Sequence, residues 1–525
     1  MTAWQAQHEQ NLAAMRGESL PDNLDTQDVL SRASVVRGIR VNLDFATSEA
    51  VTTLCVNDAQ FRRARNARLI MSNVLPDAAD MKDPQHHPYC IWYPDFATQA
   101  TYRKLAGAFP AMRYQVGRAC AAAGFETLYN DLSLLPDVSI AEEARESGTD
   151  GGRAIFGSIM ASPFRYAVMN DYTLRINTEN PKTPAFLNGD TDVYWRLGER
   201  RLLYPQLPPS TWGISPCIEE DLRIDTDKGV QLGERHNLTP DEARLLHQPL
   251  PLDLPTMKKA LLICMAAHDG NVDRYARLSL PTIMVEGELL CVVRGIYHHT
   301  MFARWWAGEI ERDSPRVKLL RSAPGFDSIR KAISVRRIMT NDMQEFEEEG
   351  WPADAPQPYL IWWPLKPRPE TLVQLAHTVP SMKEQAAVAC ILLDYERAYQ
   401  RLDVEPDLLL WMAAKKSPNA FYKTDLEQRA SSKDMTFSEP SSMDREADCL
   451  DHDLEPTTFP RYPGRLPDRV NGRPGSGGLP SSGPYDGVAP DVGDIQLYVW
   501  GKPDWLLELA ASNEKERRRF STWDH

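Results

Sequence analysis

An all-α fold is predicted by three features of the sequence: a helical stripe that occurs twice at a fixed offset, a shorter helix-turn-helix pattern that occurs a third time, and a near absence of strand-like alternation. The stripe comes after Pro88-Tyr-Cys-Ile-Trp-Tyr-Pro94, which returns as Pro358-Tyr-Leu-Ile-Trp-Trp-Pro364. From there to Ser147 and Ser417 the two stretches align without a gap at an offset of 270 (358 less 88), and about a third of the aligned positions are identical. Identity at that level over so long a gapless run predicts a tandem duplication. Each copy then has the size of one ordinary domain.

Taken in chain order, the pairing begins near the N-terminus. His8, Asn11 and Ser19-Leu-Pro21 match His268, Asn271 and Ser279-Leu-Pro281 at an offset of 260. Val35-Val-Arg-Gly-Ile39 matches Val292-Val-Arg-Gly-Ile296, and Arg68-Leu-Ile-Met-Ser-Asn73 matches Arg336-Arg-Ile-Met-Thr-Asn341. A helix is expected from about 57 to 73 and its counterpart from about 328 to 346, with Asp327 or Ser328 as a cap. The Pro-Tyr-x-Ile-Trp segment carries two prolines among large apolar residues, which predicts a short extended stretch with its tryptophan packed under helices. After it, Met382, Ala386, Ala389, Cys390 and Leu393 fall at the spacing of one helix face, and Met112, Val116, Ala119, Cys120 and Ala123 repeat that face. A turn at Gly124 or Asp394 then leads to a shorter helix ending near Leu132 or Leu402. The same unit recurs from Pro255-Thr-Met-Lys258 through Cys264 to Tyr275 and Leu278.

These boundaries divide the chain into a first helical module over 1–147, an irregular connector over 148–255 with one or two helices, and a second module over 256–425. A disordered linker is expected over 426–492 because it is rich in Gly, Pro and Ser. A strand-like stretch and a terminal helix are expected over 493–525.

Composition narrows the function. With 59 basic against 73 acidic side chains the formal charge is −14, which repels nucleic acid and anionic membranes on average. No apolar run approaches the roughly 18 residues of a membrane span. The N-terminus lacks the pattern of a signal peptide. Eight cysteines stand singly, without a Cys-x-x-Cys pair. A reduced, cytoplasmic protein is expected, with the nucleus as the other compartment open to it.

The motifs that carry chemistry are weak. Asp225-Thr-Asp-Lys-Gly229 places its glycine and Glu234 at the wrong spacing for a calcium loop. Adjacent histidines such as His298-His299 diverge by about 100° on a helix and do not share a metal readily. Gly148-Thr-Asp-Gly-Gly152 lacks the Lys-Ser/Thr of a phosphate loop, and no nucleophile elbow occurs. No catalytic, cofactor or metal residue is therefore assigned. Paired Trp305-Trp306 and Trp362-Trp363, with His298 and His299, are the candidate partner-binding residues, since tryptophan is enriched at binding hot spots, while core packing is expected of at least one member of each tryptophan pair.

The segment Ala266-Ala-His-Asp-Gly-Asn-Val-Asp-Arg-Tyr-Ala-Arg-Leu278 resembles the helix-turn-helix core of an ankyrin repeat, with paired alanines and a polar Gly-Asn turn. The Thr-Pro-Leu-His signature and the 33-residue spacing of that family are missing, so the likeness is local and degenerate. The whole chain also resembles a group of uncharacterised predicted proteins from filamentous fungi, which implies no activity. Stacked hairpins expose a long face for binding. The expected function is a non-catalytic protein-protein interaction scaffold for a protein or peptide partner, with self-association through the aromatic segments as a further mode. The alternative is an enzyme with a site in a cleft between the copies.

Overall fold

The computed structural model describes residues 3–24, 29–191, 244–245, 248–257, 259–280, 284, 288–321, 326–344, 346, 351, 358, 361–362 and 364–437. Of the linker expected over 426–492, residues 426–431 are instead the end of a helix that starts at Ala420, while 438–492 and the expected terminal elements over 493–525 lie outside the described residues. The chain divides into two compact units, Met1–Lys258 and Lys259–His525. Each is mostly helical, and the one sheet among the described residues is a two-stranded antiparallel hairpin in the first unit.

The first unit opens with α1 (Ala3–Arg16), α2 (Val29–Val41), α3 (Leu43–Thr47), α4 (Glu49–Asn57) and α5 (Ala59–Met71). The last three start on polar caps: the Asn42, Ser48 and Asp58 side chains accept N–H groups of the first turns. Ala14, Val35, Val36, Ile39, Phe45, Val51 and Phe61 form one core among them. A second core gathers α6 (Gln99–Ala108), α7 (Arg113–Ala123), α8 (Glu126–Leu132), α9 (Val138–Glu146) and α10 (Asp150–Met160) around the Tyr89–Trp92 segment. Trp92 is 3 % exposed and carries no regular secondary structure, as the two prolines of its segment predict.

The second unit runs α11 (Ala260–His268), α12 (Val272–Leu278), α13 (Glu288–His298), α14 (Thr300–Glu311), α15 (Pro315–Leu320), α16 (Phe326–Met339), α17 (Pro369–Thr378), α18 (Lys383–Leu393), α19 (Glu396–Leu402), α20 (Leu408–Lys416) and α21 (Ala420–Ser431). The expected helix near 328–346 is α16 and its counterpart is α5.

Several devices occur in both units. A 3₁₀ turn at Pro110–Met112 or Pro380–Met382 leads into α7 or α18. Gly124 at φ 76° or Asp394 at φ 57° then ends the helix in the left-handed region. The Phe125 and Tyr395 N–H groups reach back to the Cys120 and Cys390 carbonyls, both at 2.8 Å, closing the 6→1 bond that satisfies an orphan carbonyl. The α11–α12 turn repeats it, with Gly270 at φ 59° and the Asn271 N–H 2.9 Å from the Ala266 oxygen. Glycine is used at 124 for room as well as φ, because a Cβ there would lie 2.5 Å from Thr149 Oγ1. In the second unit the Asp394 carboxylate fills that space and accepts Asn419 Nδ2 at 2.8 Å and the Tyr422 hydroxyl at 3.0 Å.

Two further devices tie separate helices together. Arg68 of α5 donates to the carbonyl of Arg40 at the end of α2 at 3.1 Å, and Arg336 of α16 donates to that of Tyr297 at the end of α13 at 2.6 Å. A cation there complements the negative end of the helix. Asn73 and Asn341, at φ 64° and 62°, each place Oδ1 on the next helix start. Asn73 accepts the Thr98 N–H at 2.7 Å and the Thr101 hydroxyl at 3.0 Å. Asn341 accepts the Arg368 N–H and the Thr371 hydroxyl, both at 2.7 Å. Asn73→Ala and Asn341→Ala are each expected to cost about 1–2 kcal/mol, since one cap and one left-handed asparagine are lost together. Chemical denaturation of the two variants measures it.

Within the described part of the connector, α10 ends at Met160 and a β-hairpin follows, with β1 (Met169–Asn170) pairing with β2 (Arg175–Ile176). The reason is non-local: the Tyr166 N–H and carbonyl bond Pro136 O at 2.8 Å and Val138 N at 2.9 Å, fixing an extended backbone beside the start of α9. The offset of 260 near the N-terminus is displaced. In α2, a Cβ on Gly38 would sit 1.9 Å from the Ala14 carbonyl oxygen, and in α13 one on Gly295 would sit 2.0 Å from that of Ala267. Those contacts align Ala14 with Ala267 and Gly17 with Gly270, an offset of 253 (270 less 17).

Candidate functional site

Among the described residues, the largest gathering of buried charge lies in the first unit, where α7, α9, the Tyr89 segment and the chain after α10 meet. Arg118 projects from α7 and is fully buried. Its Nη1 is 2.6 Å from Asp171 Oδ1, and its Nε is 3.0 Å from Glu143 Oε2. The Tyr89 hydroxyl donates to the same Asp171 oxygen at 2.7 Å, while the guanidinium lies over the Trp92 ring, 5.0 Å from its centroid. Asp171 comes directly after β1, so the ion pair fastens the β-hairpin to α7.

Beside it on α9, the fully buried Glu142 carboxylate accepts the Asn188 N–H at 3.2 Å, the Thr191 hydroxyl and Arg145 Nη2 at 3.4 Å. Asn188 Nδ2 donates in turn to the Pro255 and Met257 carbonyls at 2.7 and 2.9 Å, and Arg145 reaches Leu254 O and Thr256 Oγ1. Asp137 caps α9 through the Ile140 N–H at 3.0 Å and binds the Val168 and Met169 N–H groups with its other oxygen. Asp171 and Glu143 thus share one guanidinium, that of Arg118, while Glu142 pairs with Arg145.

Electrostatics reflects that imbalance. Burial pushes the Asp137 carboxyl up to about 6, with its three backbone N–H bonds and Arg118 opposing the rise. Burial also raises Glu143, against the pull of Arg118. The Tyr89 hydroxyl is held far above its ordinary range by burial and then by Asp171. For Arg118 burial works against the charge, and Asp171 and Glu143 outweigh it.

A carboxyl whose folded pKa is raised binds more protons folded than unfolded. Its contribution to stability is fully present below the unfolded pKa of 3.8 and is lost as pH rises through about 6. Exchange of the Val168 and Met169 amides, corrected for intrinsic rate, is therefore expected to slow between pH 7 and pH 5. Asp137→Asn should reduce that slope by as much as one proton.

The network makes its polar groups partners of one another. What it does is hold residues 165–191 and 254–257 against α7 and α9. At the aligned positions of the second unit stand Val388 and Ala413, both fully buried, in place of Arg118 and Glu143. Reading the sequence missed this network; charge at Arg118 and Glu143, where the aligned residues Val388 and Ala413 are apolar, is the signal that could have found it.

The six partner-binding candidates fall in the second unit. Trp306 is fully buried and Trp362 is 2 % exposed, so both pack in the core rather than on a surface. Trp363 lies outside the described residues. Trp305, His298 and His299 are partly buried. Trp305 lies parallel to Phe302 with centroids 6.0 Å apart and edge-on to Tyr275 at 5.6 Å, and Arg316 lies 5.9 Å from its ring centroid. The Tyr275 hydroxyl donates to the buried Glu288 carboxylate at 2.6 Å, and burial and that charge together keep the hydroxyl protonated.

Of the cysteines, Cys55, Cys90, Cys120, Cys264, Cys291 and Cys390 are buried thiols. Burial pushes the Cys120 and Cys390 thiols up to about 12, which suits small core residues better than nucleophiles. Among the described residues no group of three or more His, Cys, Asp or Glu side chains could hold a metal, and no helix is long and apolar enough to cross a membrane.

Residues 92–195 are similar to the family described as the YKP1 C-terminal domain, an uncharacterised family. That stretch begins at Trp92 and takes in α6 to α10, the β-hairpin and every member of the buried network from Arg118 to Thr191. No curated protein and no solved structure matches the chain.

Proposed function

We propose that the chain is a tandem pair of diverged helical-hairpin modules, degenerate ankyrin-like in local form, acting as a non-catalytic scaffold for a protein or peptide partner. The observation that carries this reading is the recurrence of one hairpin. A first helix, a left-handed turn closed by a 6→1 bond and a seven-residue second helix with a buried tyrosine appear as α7–α8, α18–α19 and α11–α12. Units of that kind bury one face on their neighbours and leave loops and helix flanks for recognition. The titratable groups with strong shifts favour the same view, because they lie inside the units and bind loops to helices. A cytoplasmic or nuclear place of action belongs to the proposal.

Trp305 is the contact residue to test, since it keeps exposed surface while being held by Phe302 and Tyr275. A partner recovered from the native cell should bind the purified chain directly and stoichiometrically. Trp305→Ala should then weaken that binding roughly tenfold or more, the size expected of a hot-spot aromatic. A metabolite retained through purification, with turnover of it by the purified chain, would overturn the scaffold reading in favour of an enzyme.

A further inference from the structure

Helices α1 and α2 of the first unit run side by side in the same direction. Gly38 of α2 abuts the Ala14 carbonyl of α1, and seven residues earlier on each helix (14 less 7, 38 less 31) the Gln7 amide donates to the Ser31 hydroxyl at 2.8 Å. In the second unit α11 and α13 do the same. Gly295 abuts the Ala267 carbonyl, and further on along both helices the His299 side chain lies against Gly270. A glycine pressed on a backbone carbonyl brings two helices closer than the usual interaxial distance of about 8–10 Å.

Two cysteines flank that close approach. Cys264 comes three residues before Ala267 and Cys291 four before Gly295 (267 less 264, 295 less 291), so each lies about one turn back on its own helix. Because the helices are parallel, one turn back on α11 stands opposite one turn back on α13. Both thiols are fully buried. The equivalent residues of the first unit, at offsets of 253 and 257 (295 less 38), are Asn11 and Ser34. Asn11 accepts from the same Gln7 amide that reaches Ser31, which puts its position on the side of α1 that faces α2.

We infer that Cys264 and Cys291 are a redox pair that closes into a disulfide across the seam and fastens α11 to α13. Such a bond requires Cα atoms roughly 4.4–6.8 Å apart, a separation that a seam closed on glycine favours. Hydrogen peroxide serves as oxidant. One thiolate displaces hydroxide from the peroxide and becomes a sulfenic acid; the second thiolate attacks that sulfur, expels another hydroxide and forms the S–S bond. The two thiol protons turn both hydroxides into water, and the two electrons end on the peroxide oxygens. A small thiol reverses the reaction by exchange.

In a reducing compartment a bond of this kind forms as a passing response to oxidant. Once closed it spans 27 residues (291 less 264), among them α12, whose Tyr275 braces Trp305. The pairing does not depend on a partner at Trp305. The first unit, with asparagine and serine in these places, has no counterpart to it.

The test is a non-reducing tryptic map of the full chain after treatment with hydrogen peroxide and alkylation of the remaining thiols in denaturant. Cleavage places Cys264 in peptide 260–274 and Cys291 in peptide 278–294, each with a single cysteine. A linked species of these two peptides should be the main disulfide product, disappear on reduction and be absent from C291S, which borrows the residue of the first unit. Amide exchange should show opening of α11–α13 about a hundredfold rarer after oxidation, the effect of closing a loop of this length, with α1–α2 unchanged. Chain unfolded before oxidation should scatter its pairing over other cysteines, which keeps the test decisive even where C291S does not fold. Cys264 and Cys291 recovered as alkylated or singly oxidised residues, either one paired with another cysteine in the folded chain, or a cross-link that leaves exchange of α11–α13 unaltered would overturn the pair.

Discussion

Arg118→Val is expected to destabilise the first unit by about 3–5 kcal/mol, even though valine is the residue that the second unit carries at the aligned position. The loss comes from what remains. Asp171 and Glu143 would keep two charges in a fully buried site, and the Tyr89 hydroxyl would donate to a carboxylate with no cation beside it. The triple variant R118M/E143Q/D171N removes the charges together and keeps much of the volume. It should recover most of the loss, because a buried ion pair replaced as a set costs far less than one broken in half. Denaturant unfolding of both variants decides the matter. A mild loss for Arg118→Val, or no recovery in the triple variant, would show that the ionic contacts do not hold this part of the unit together.

Gly38→Ala and Gly295→Ala form the second large prediction. In both, the new methyl would lie about 2 Å from a backbone carbonyl oxygen of the facing helix, which no side-chain rearrangement relieves. The helices must separate, at a cost of about 3 kcal/mol in each case. Equal losses, each confined to its own unit in amide exchange, are the expected result. They would also support the helix pair α1–α2 and the pair α11–α13 as equivalents.

The hairpins were legible in the sequence because their signal is local. Met382, Ala386, Ala389 and Cys390 lie on one helix face at a spacing set by the helix itself, and all four are fully buried. The β-hairpin at 169–176 was hidden because its reason lies about thirty residues upstream, in the backbone of Pro136–Val138. The N-terminal offset slipped for a physical cause: 260 and 253 differ by seven residues, about two helical turns, so the same faces pair in either register. Only the close approach at Gly38 and Gly295 separates the two. The buried network went unread. Arg118 and Glu143 align with the apolar Val388 and Ala413, which marks the first unit as polar inside, but Asp171 and Thr191 come from a segment with no aligned partner.

Trp306 and Trp362, one from each tryptophan pair, are core residues, and which member of a pair is buried is something the sequence does not carry. Trp305 and Trp306 are neighbours on α14, about 100° apart around its axis, and both reach Tyr275, but which of them is fully buried is set by where the neighbouring helices pack.

The claim beneath all of this is that one hairpin module has been built twice in the chain, and residue-resolved amide exchange at the two matching turns tests it most directly. Tandem modules require the Phe125 and Tyr395 amides, each bonded to a cysteine carbonyl at 2.8 Å, to be protected as helix-interior amides are, and to lose protection together with their own helices. Protection at Phe125 with exchange at the free-peptide rate at Tyr395 would contradict it.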